Sequence, residues 1–151
     1  MKMSKCKKLF NFLLAVMTFA ACTNSNEKMN TCVNDTWDKV FPLSEKVNHK
    51  KVSFNTQYGF TLVGDLYQPK ELSDQVPSTK FAALAVSCPF GATKEQSSGL
   101  YAMKMAERGF VALAFDPSFT GESSGEPRRT ASPDINTEDF MAAVDFLSKL
   151  P

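Results

Sequence analysis

The sequence predicts an α/β domain in which an antiparallel hairpin leads into parallel strands with flanking helices. Two β-rich stretches are separated by a turn signal at Tyr58-Gly59. Farther along the chain, residues 81–87 and 110–115 form two short apolar runs without a charged residue, and a helical pattern follows each run. Alternation of strands and helices in this order is typical of a parallel sheet entered from an antiparallel pair.

The hairpin is predicted from the stretches "KKVSFNT" at 50–56 and "FTLVGDLYQP" at 60–69. Both are rich in β-branched and aromatic residues, and the turn between them contains glycine. Polar residues 70–80 then form a loop. The next run, "FAALAVS" at 81–87, predicts a strand buried on both faces because it is short and continuously apolar.

A helix is predicted over residues 93–109, with Thr93 and Gln96 at the spacing of a capping box and a stop at Gly109. Its apolar side is formed by Leu100, Met103 and Ala106. The run "FVALAFD" at 110–116 predicts a second buried strand. After a loop, residues 136–150 predict a last helix whose apolar face carries Phe140, Val144 and Leu147.

The N-terminus has the pattern of a secretory signal. Four lysines within residues 2–8 precede the apolar run "LFNFLLAVMTFAA" at 9–21, which is short for a membrane span. The stretch "FAAC" at 19–22 resembles a bacterial lipobox, which implies that Cys22 carries lipid. The alternative is an ordinary signal peptide cleaved near Ala21. The chain therefore divides into a signal peptide at 1–21, a tether at 22–48 and the domain at 49–151, and we expect an exported protein anchored to a membrane.

Composition and spacing exclude several partners and cofactors. A net charge of +1 without a basic patch gives no indication of nucleic acid. The cysteines show neither a Cys-x-x-Cys motif nor a cysteine-histidine spacing, so no metal site is predicted. A single glycine lies between the strand at 81–87 and the following helix, which excludes a dinucleotide cofactor and leaves none predicted. A disulfide between Cys32 and Cys88 stays open, since sequence cannot test its geometry.

The stretch "CPFGATKEQSSGLYAMKMAERGFVALAFDPSFTGESSGEPRR" and the later "DFMAAVDFLSKLP" resemble the α/β-hydrolase superfamily, in its exported dienelactone-hydrolase-like and peptidase-like branch. In that branch a K-E-Q-x-x-G-x-Y-A helix follows the third strand and an F-D-x-x-x-x-G-E-S loop follows the fourth. The resemblance covers residues 50–151 and implies the N-terminal half of the fold, with an incomplete sheet. It also implies hydrolysis of ester, amide or related acyl bonds, with the nucleophile, acid and histidine on later strands.

Residues 121–125 read "GESSG", which matches the G-x-S-x-G pattern of a serine nucleophile elbow. An elbow requires a buried strand directly before the serine motif and a helix directly after it. Here "PSFT" precedes Gly121 and the proline-containing "EPRRTASP" follows Gly125. We therefore interpret Ser123 as a loop serine that bonds nearby backbone, and not as the nucleophile.

Three further residues have side chains that could be catalytic, but none is predicted to be. His49, the only histidine, lies in polar "NHKK" and is interpreted as a surface residue, whereas the family's histidine comes from a C-terminal loop. Cys88 has no neighbour that would lower its pKa and is not predicted to be a nucleophile. Asp116 ends its strand and is interpreted as holding the following loop together. The chain alone is therefore predicted to be inactive.

The resemblance implies one catalytic element within this chain. In these hydrolases a backbone N–H from the loop after the third strand supplies half of the oxyanion hole, and the matching turn is "CPFG" at 88–91. Pro89 has no N–H, which leaves Phe90 as the donor. Gly91 would allow close approach of substrate to backbone. The alternative is an ordinary tight turn before a helix.

Two functional classes stay open at this point. The first is the N-terminal part of an exported hydrolase of small-molecule acyl substrates, cut short by truncation or an incomplete gene model. The second is a non-catalytic, membrane-anchored lipoprotein module for binding or interaction, of hydrolase ancestry. In the family's sheet order the strand at 81–87 lies between the strand at 110–116 and a later one. It would form an open apolar edge here, so we expect the isolated chain to be molten or aggregated.

Overall fold

A computed structural model describes residues 37–71 and 81–150, which lie in one compact unit. In chain order the elements are β1 (Val47–Asn55), β2 (Thr61–Pro69), β3 (Ala83–Ser87), α1 (Ser97–Ala106), β4 (Val111–Phe115) and α2 (Pro133–Ser148). The strands form one open sheet in the order β1-β2-β4-β3, in which only the β3–β4 pair is parallel. The predicted α/β class is confirmed. The predicted signal peptide, Cys22 and Cys32 lie outside the described residues.

The hairpin forms as predicted, and its turn chemistry explains why. Gly59 adopts a φ of 82°, a conformation that costs glycine little because it has no Cβ. The turn is closed by hydrogen bonds from Thr56 N to Phe60 O at 2.9 Å and from Gly59 N to Thr56 O at 3.1 Å. Asn55 therefore pairs with Thr61, which sets the register of the whole β1–β2 ladder.

The centre of the sheet is β4, whose five residues are all buried. Leu113 pairs with Leu66 of β2 on one side and with Ala85 of β3 on the other. Strand β3 is an edge strand of the described sheet. Its burial on both faces was predicted and is wrong: Ala83 is exposed and the other four residues are half-buried, because an edge strand has a neighbouring strand on one side only. Whether this edge makes the isolated chain aggregate stays a prediction.

Two apolar clusters cover opposite faces of the sheet, since successive residues of β4 alternate between them. Ala112 and Ala114 pack under α1, together with Met103. Leu113 and Phe115 pack on the α2 side. The two helices therefore sandwich the sheet, the layering expected for parallel strands joined through helices.

Helix α1 begins later than predicted, at Ser97 instead of residue 93, and its N-cap Gln96 makes no capping hydrogen bond through its side chain. The predicted capping box is therefore wrong. The turn before the helix is held from outside, because Lys94 N donates to the carboxylate of Asp116. Leu100 is also more exposed than predicted, although Met103 and Ala106 are buried.

Helix α2 begins earlier than predicted, with Pro133 in its first turn, where proline is favoured. The predicted inward face is wrong for Phe140 and Val144, which are exposed. The helix instead turns the carboxylates of Glu138 and Asp139 inward, where they accept hydrogen bonds from other loops. Within residues 37–71 and 81–150, no helix has both the length and the apolar composition needed to cross a membrane.

The compact domain starts before the predicted tether boundary at residue 48. Phe41 is buried in the core and Trp37 packs beside it, with ring centroids 5.7 Å apart. Val40 and Leu43 of the same segment are exposed.

Candidate active site

Two loops meet at one edge of the sheet. The β3–α1 loop (residues 88–96) follows β3, and the β4–α2 loop (residues 116–132) follows β4. The strands are parallel and Ser87 pairs with Phe115, so both loops leave the sheet at the same level. In open α/β sheets, ligands bind outside the carboxyl ends of the strands, which makes this edge the candidate site.

The β3–α1 loop opens with a tight turn over residues 89–92. Ala92 N donates to Pro89 O at 3.0 Å, and Gly91 has a φ of 83°, the combination found in a type II turn. A Cβ at Gly91 would meet nothing within 4 Å. This turn uses the N–H of Ala92 and leaves that of Phe90 outside its own hydrogen bond, while the Phe90 ring is 78% exposed. The assignment of Phe90 and Gly91 to an oxyanion hole stays a prediction.

A buried ion pair joins the two loops. The side chains of Lys94 and Asp116 have no exposed surface, and Lys94 Nζ donates to Asp116 Oδ2 at 3.1 Å. Lys94 N donates to Asp116 Oδ1 at 2.8 Å, and Glu122 N donates to Oδ2 at 3.0 Å. The prediction that Asp116 holds the following loop together is confirmed by these bonds.

The same lysine contacts two further carboxylates. Lys94 Nζ lies 2.6 Å from Glu122 Oε2 and also donates to Glu95. Lys51 of β1 also pairs with Glu122, at 2.9 Å. Burial disfavours the charged form of Lys94, but hydrogen bonds to Glu122, Glu95 and Asp116 outweigh it and raise the pKa of the ammonium. Lys94 is therefore charged at all physiological pH values.

Ser123 is part of the loop scaffold. Its hydroxyl donates to Asp116 O at 2.7 Å and accepts from Val63 N at 2.9 Å, and the residue is 2% exposed. The hydroxyl is therefore engaged on both sides and bonds nearby backbone. This confirms the interpretation of "GESSG" as a structural loop.

We expect Ser123→Ala to destabilise the domain by about 1–3 kcal/mol, because it leaves the half-buried N–H of Val63 and the buried carbonyl of Asp116 without this partner. Ser124→Ala is the matched control. Ser124 Oγ accepts from Thr61 N at 2.8 Å at an exposed position, where water can replace the lost bond. Urea unfolding of the two variants measures the difference. Equal effects would contradict a structural role specific to Ser123.

The interpretation of His49 as a surface residue is wrong. The residue lies within β1, its side chain is 18% exposed, and its Nε2 lies 2.8 Å from Asp65 Oδ1. Its ring packs between those of Trp37 and Tyr67, with both centroid distances at 5.2 Å. Burial opposes the charge of Asp65, but His49 and Lys39 outweigh it and lower the pKa of the carboxyl. No hydrogen bond among the described residues joins His49 to a serine.

Cys88 follows β3 at the start of the β3–α1 loop and is a free thiol. Burial, with the charge of Asp116, raises its pKa to about 11, which disfavours the thiolate that a nucleophile requires. That Cys88 does not attack a substrate stays a prediction. The part of the chain that the structure describes contains no group of three potential ligand side chains placed to hold a metal.

The sheet, its order and the loops at its carboxyl edge define the class: the fold is that of the α/β hydrolases. An α/β hydrolase from Penicillium, GrgF, superposes with a TM-score of 0.60 at 29% identity, over 69% of this chain and 33% of that chain. Brefeldin A esterase, a bacterial protein, superposes with a TM-score of 0.53 at 15% identity, over 75% of this chain and 31% of that chain, and shares the fold. The structural neighbours thus include hydrolases and esterases.

Among proteins similar in sequence is the uncharacterized protein PA2218 of Pseudomonas aeruginosa, 60% identical over 136 residues, which are 87% of this chain and 35% of that protein. Its crystal structure superposes with a TM-score of 0.72, over 78% of this chain and 35% of that chain. The thiohydrolase aneE of Aspergillus aculeatus is 32% identical over 108 residues, 72% of this chain and 31% of that protein. No family model matches the chain. The chain spans about a third of the length of these relatives.

Proposed function

We propose that the chain is the N-terminal part of an exported, lipid-anchored α/β hydrolase acting on ester, amide or related acyl bonds. The observation that supports this most is the turn at Phe90 and Gly91, which lies at the carboxyl end of β3 in an α/β-hydrolase sheet. The fold alone does not define an activity. A backbone N–H placed at this edge is, however, the kind of group that acyl transfer requires.

In the proposed reaction a nucleophile attacks the acyl carbon, and the carbonyl oxygen becomes an oxyanion. The N–H of Phe90 would donate one hydrogen bond to that oxygen, which stabilises the charge as it develops. Gly91 places no side chain over the turn, so the substrate can approach the backbone. The nucleophile, the acid and the catalytic histidine would come from later strands of the complete protein, because Ser123 and His49 are both engaged elsewhere.

The proposal is tested by comparing the protein expressed from its complete gene with the 151-residue chain. Each is assayed on an activated ester, a thioester and an anilide of the same acyl group. We expect turnover from the complete protein, no measurable turnover from the 151-residue chain, and retained activity in Ser123→Ala of the complete protein. Turnover by the 151-residue chain that disappears in Ser123→Ala would contradict the assignment.

A second candidate is a non-catalytic, membrane-anchored binding module of hydrolase ancestry. One observation favours it: the described residues do not bring a serine and a histidine together, since His49 pairs with Asp65 and Ser123 with backbone. The same experiment distinguishes the acyl hydrolase from the non-catalytic module. A folded product of the complete gene that hydrolyses none of the three substrates, and is not labelled by a fluorophosphonate, favours the module.

Anchoring through Cys22 is proposed on the sequence alone, since Cys22 precedes the described residues. In a Gram-negative host, the wild-type protein is expected in the membrane fraction and Cys22→Ser in the soluble fraction, because stable attachment needs the acyl chains that this cysteine would carry. Cys88→Ser is the control and should fractionate like wild type. A wild-type protein that is soluble, or a Cys22→Ser variant that stays on the membrane, would contradict lipid anchoring.

A further inference from the structure

We propose that Lys94 is a positioning residue, which fixes the β3–α1 loop against the β4–α2 loop and thereby sets the place of the Phe90 N–H. The part of this inference that concerns catalysis rests on the proposed acyl hydrolase. Lys94 does not touch the reacting atoms in this account; it acts through the loop that carries Phe90 and Gly91.

Lys94 is hydrogen-bonded through both its backbone and its side chain. Its backbone N–H donates to Asp116 Oδ1 at 2.8 Å and its ammonium donates to Oδ2 of the same carboxylate at 3.1 Å. A residue held through backbone and side chain by one buried carboxylate has little freedom to shift. Phe90 precedes Lys94 by four positions, across the turn over residues 89–92, so the carboxylate anchors the chain two residues after that turn.

The β4–α2 loop is tied to the same point. Glu122 donates its N–H to Asp116 Oδ2 at 3.0 Å, and its carboxylate accepts from Lys94 Nζ at 2.6 Å. Lys94, Asp116 and Glu122 therefore form a closed ring in which each residue contacts the other two. Lys51 of β1 holds the Glu122 carboxylate from outside the ring.

Burying the Lys94–Asp116 ion pair costs free energy, which suggests that the pair has a role other than stability. Removing a lysine and a carboxylate from water is expensive, and apolar residues of similar size often stabilise a fold as well or better. A buried ion pair does, however, fix distances and directions that apolar packing leaves free. In acyl transfer the placement of the donor decides the rate, so a fixed loop has a catalytic consequence.

The test uses Lys94→Met and Lys94→Arg in the protein expressed from its complete gene, with Lys104→Met as the matched control. Lys104 is an exposed lysine of α1 whose ammonium donates to Glu107, while its backbone carbonyl accepts from the Arg108 guanidinium. On an activated ester we expect Lys94→Met to lower kcat by about tenfold to a hundredfold with KM changed less than about threefold. Lys94→Arg should recover most of the loss, and Lys104→Met should match wild type.

Amide hydrogen exchange gives a second readout that needs no substrate. In Lys94→Met we expect the amides of Cys88 and of residues 90–93 to exchange about tenfold or more faster, while those of β2 and β4 keep their rates. Glu122→Gln keeps an acceptor at a half-exposed position and should give a smaller change of the same kind, even if Lys94→Met fails to fold. Unchanged exchange at Cys88 and residues 90–93, or an equal acceleration in every element, would overturn the proposal. If wild type hydrolyses no acyl substrate, the proposed function fails and the exchange pattern alone decides the positioning role.

Discussion

Phe90→Pro is expected to lower kcat on an acyl ester by about 10²–10³-fold in the protein expressed from its complete gene, because it removes one backbone donor of the oxyanion hole. The effect should fall on kcat and kcat/KM together, since the lost hydrogen bond is strongest in the transition state. Steady-state kinetics on an activated ester measures it. This is the largest functional effect expected from a single substitution among the described residues.

The conformation of the turn allows proline at position 90, so the substitution tests the N–H. Phe90 occupies the second position of the turn closed by Ala92 N and Pro89 O, with Gly91 at a φ of 83° in the third. Proline is favoured at the second position of a type II turn, so the substitution deletes the N–H without opposing the backbone. Phe90→Ala is the control: it keeps the N–H, removes the exposed ring, and should change kcat by less than about threefold. Equal losses in both variants would show that the ring matters and the N–H does not.

Gly121→Ala is expected to destabilise the domain by about 3–5 kcal/mol, a large effect for a single methyl group. Gly121 has a φ of 53°, and a Cβ there would lie 2.1 Å from Asp116 Oδ2. The carboxylate cannot move aside easily, because it is buried and accepts from Lys94 and from Glu122 N. Either the loop or the ion pair must therefore shift, and thermal or urea unfolding measures the loss.

Gly109→Ala separates backbone strain from the clash. Gly109 has a φ of 95°, and a Cβ there would meet nothing within 4 Å. Its substitution should therefore cost only the conformational term, about 1–2 kcal/mol. If Gly121→Ala costs no more than Gly109→Ala, the Asp116 carboxylate is not the fixed point described for the two loops.

The parts of the fold that follow from local pattern were predicted from the sequence. The hairpin follows from two β-rich runs around Gly59, and the buried strand β4 follows from a short apolar run without charge. Hydrophobicity does not give the position of a strand in the sheet, since "FAALAVS" is as apolar as β4 but has half-buried side chains. The edge position of β3 was expected only from the sheet order of the family that the sequence resembles. Which strand lies at the edge is decided by topology, and topology is nonlocal.

The helix errors have the same origin. Leu100 and Phe140 were placed on inward faces because they are large and apolar, and both are exposed. In α2 the inward face instead carries Asp139, which accepts hydrogen bonds from the backbone N–H and the hydroxyl of Ser118. A carboxylate that accepts hydrogen bonds from a distant loop can face the protein interior, on the side where apolar residues were expected. Its hydrogen-bond partner cannot be identified from the local sequence.

At the candidate site, sequence reasoning worked for a motif whose neighbouring residues could be compared with the strand and helix that the motif requires. Ser123 was interpreted as a loop serine because neither a strand nor a helix directly adjoins "GESSG", and its hydroxyl does bond nearby backbone. His49 was misplaced because its partner Asp65 lies on the neighbouring strand, and Lys94 was missed because Asp116 and Glu122 are 22 and 28 residues away. Lys94 is the lysine of the K-E-Q motif, and its partners Asp116 and Glu122 are the acidic residues of the F-D-x-x-x-x-G-E-S loop. A comparison of these two motifs could have indicated the ion pair.

The oxyanion role of Phe90 is tested most directly by a crystal structure of the protein from its complete gene after reaction with an alkyl phosphonate, which mimics the tetrahedral intermediate. We expect an adduct on a residue other than Ser123, with the phosphoryl oxygen about 3 Å from the backbone nitrogen of Phe90. A phosphoryl oxygen bound away from the Phe90–Gly91 turn, or an adduct on Ser123 itself, would contradict it.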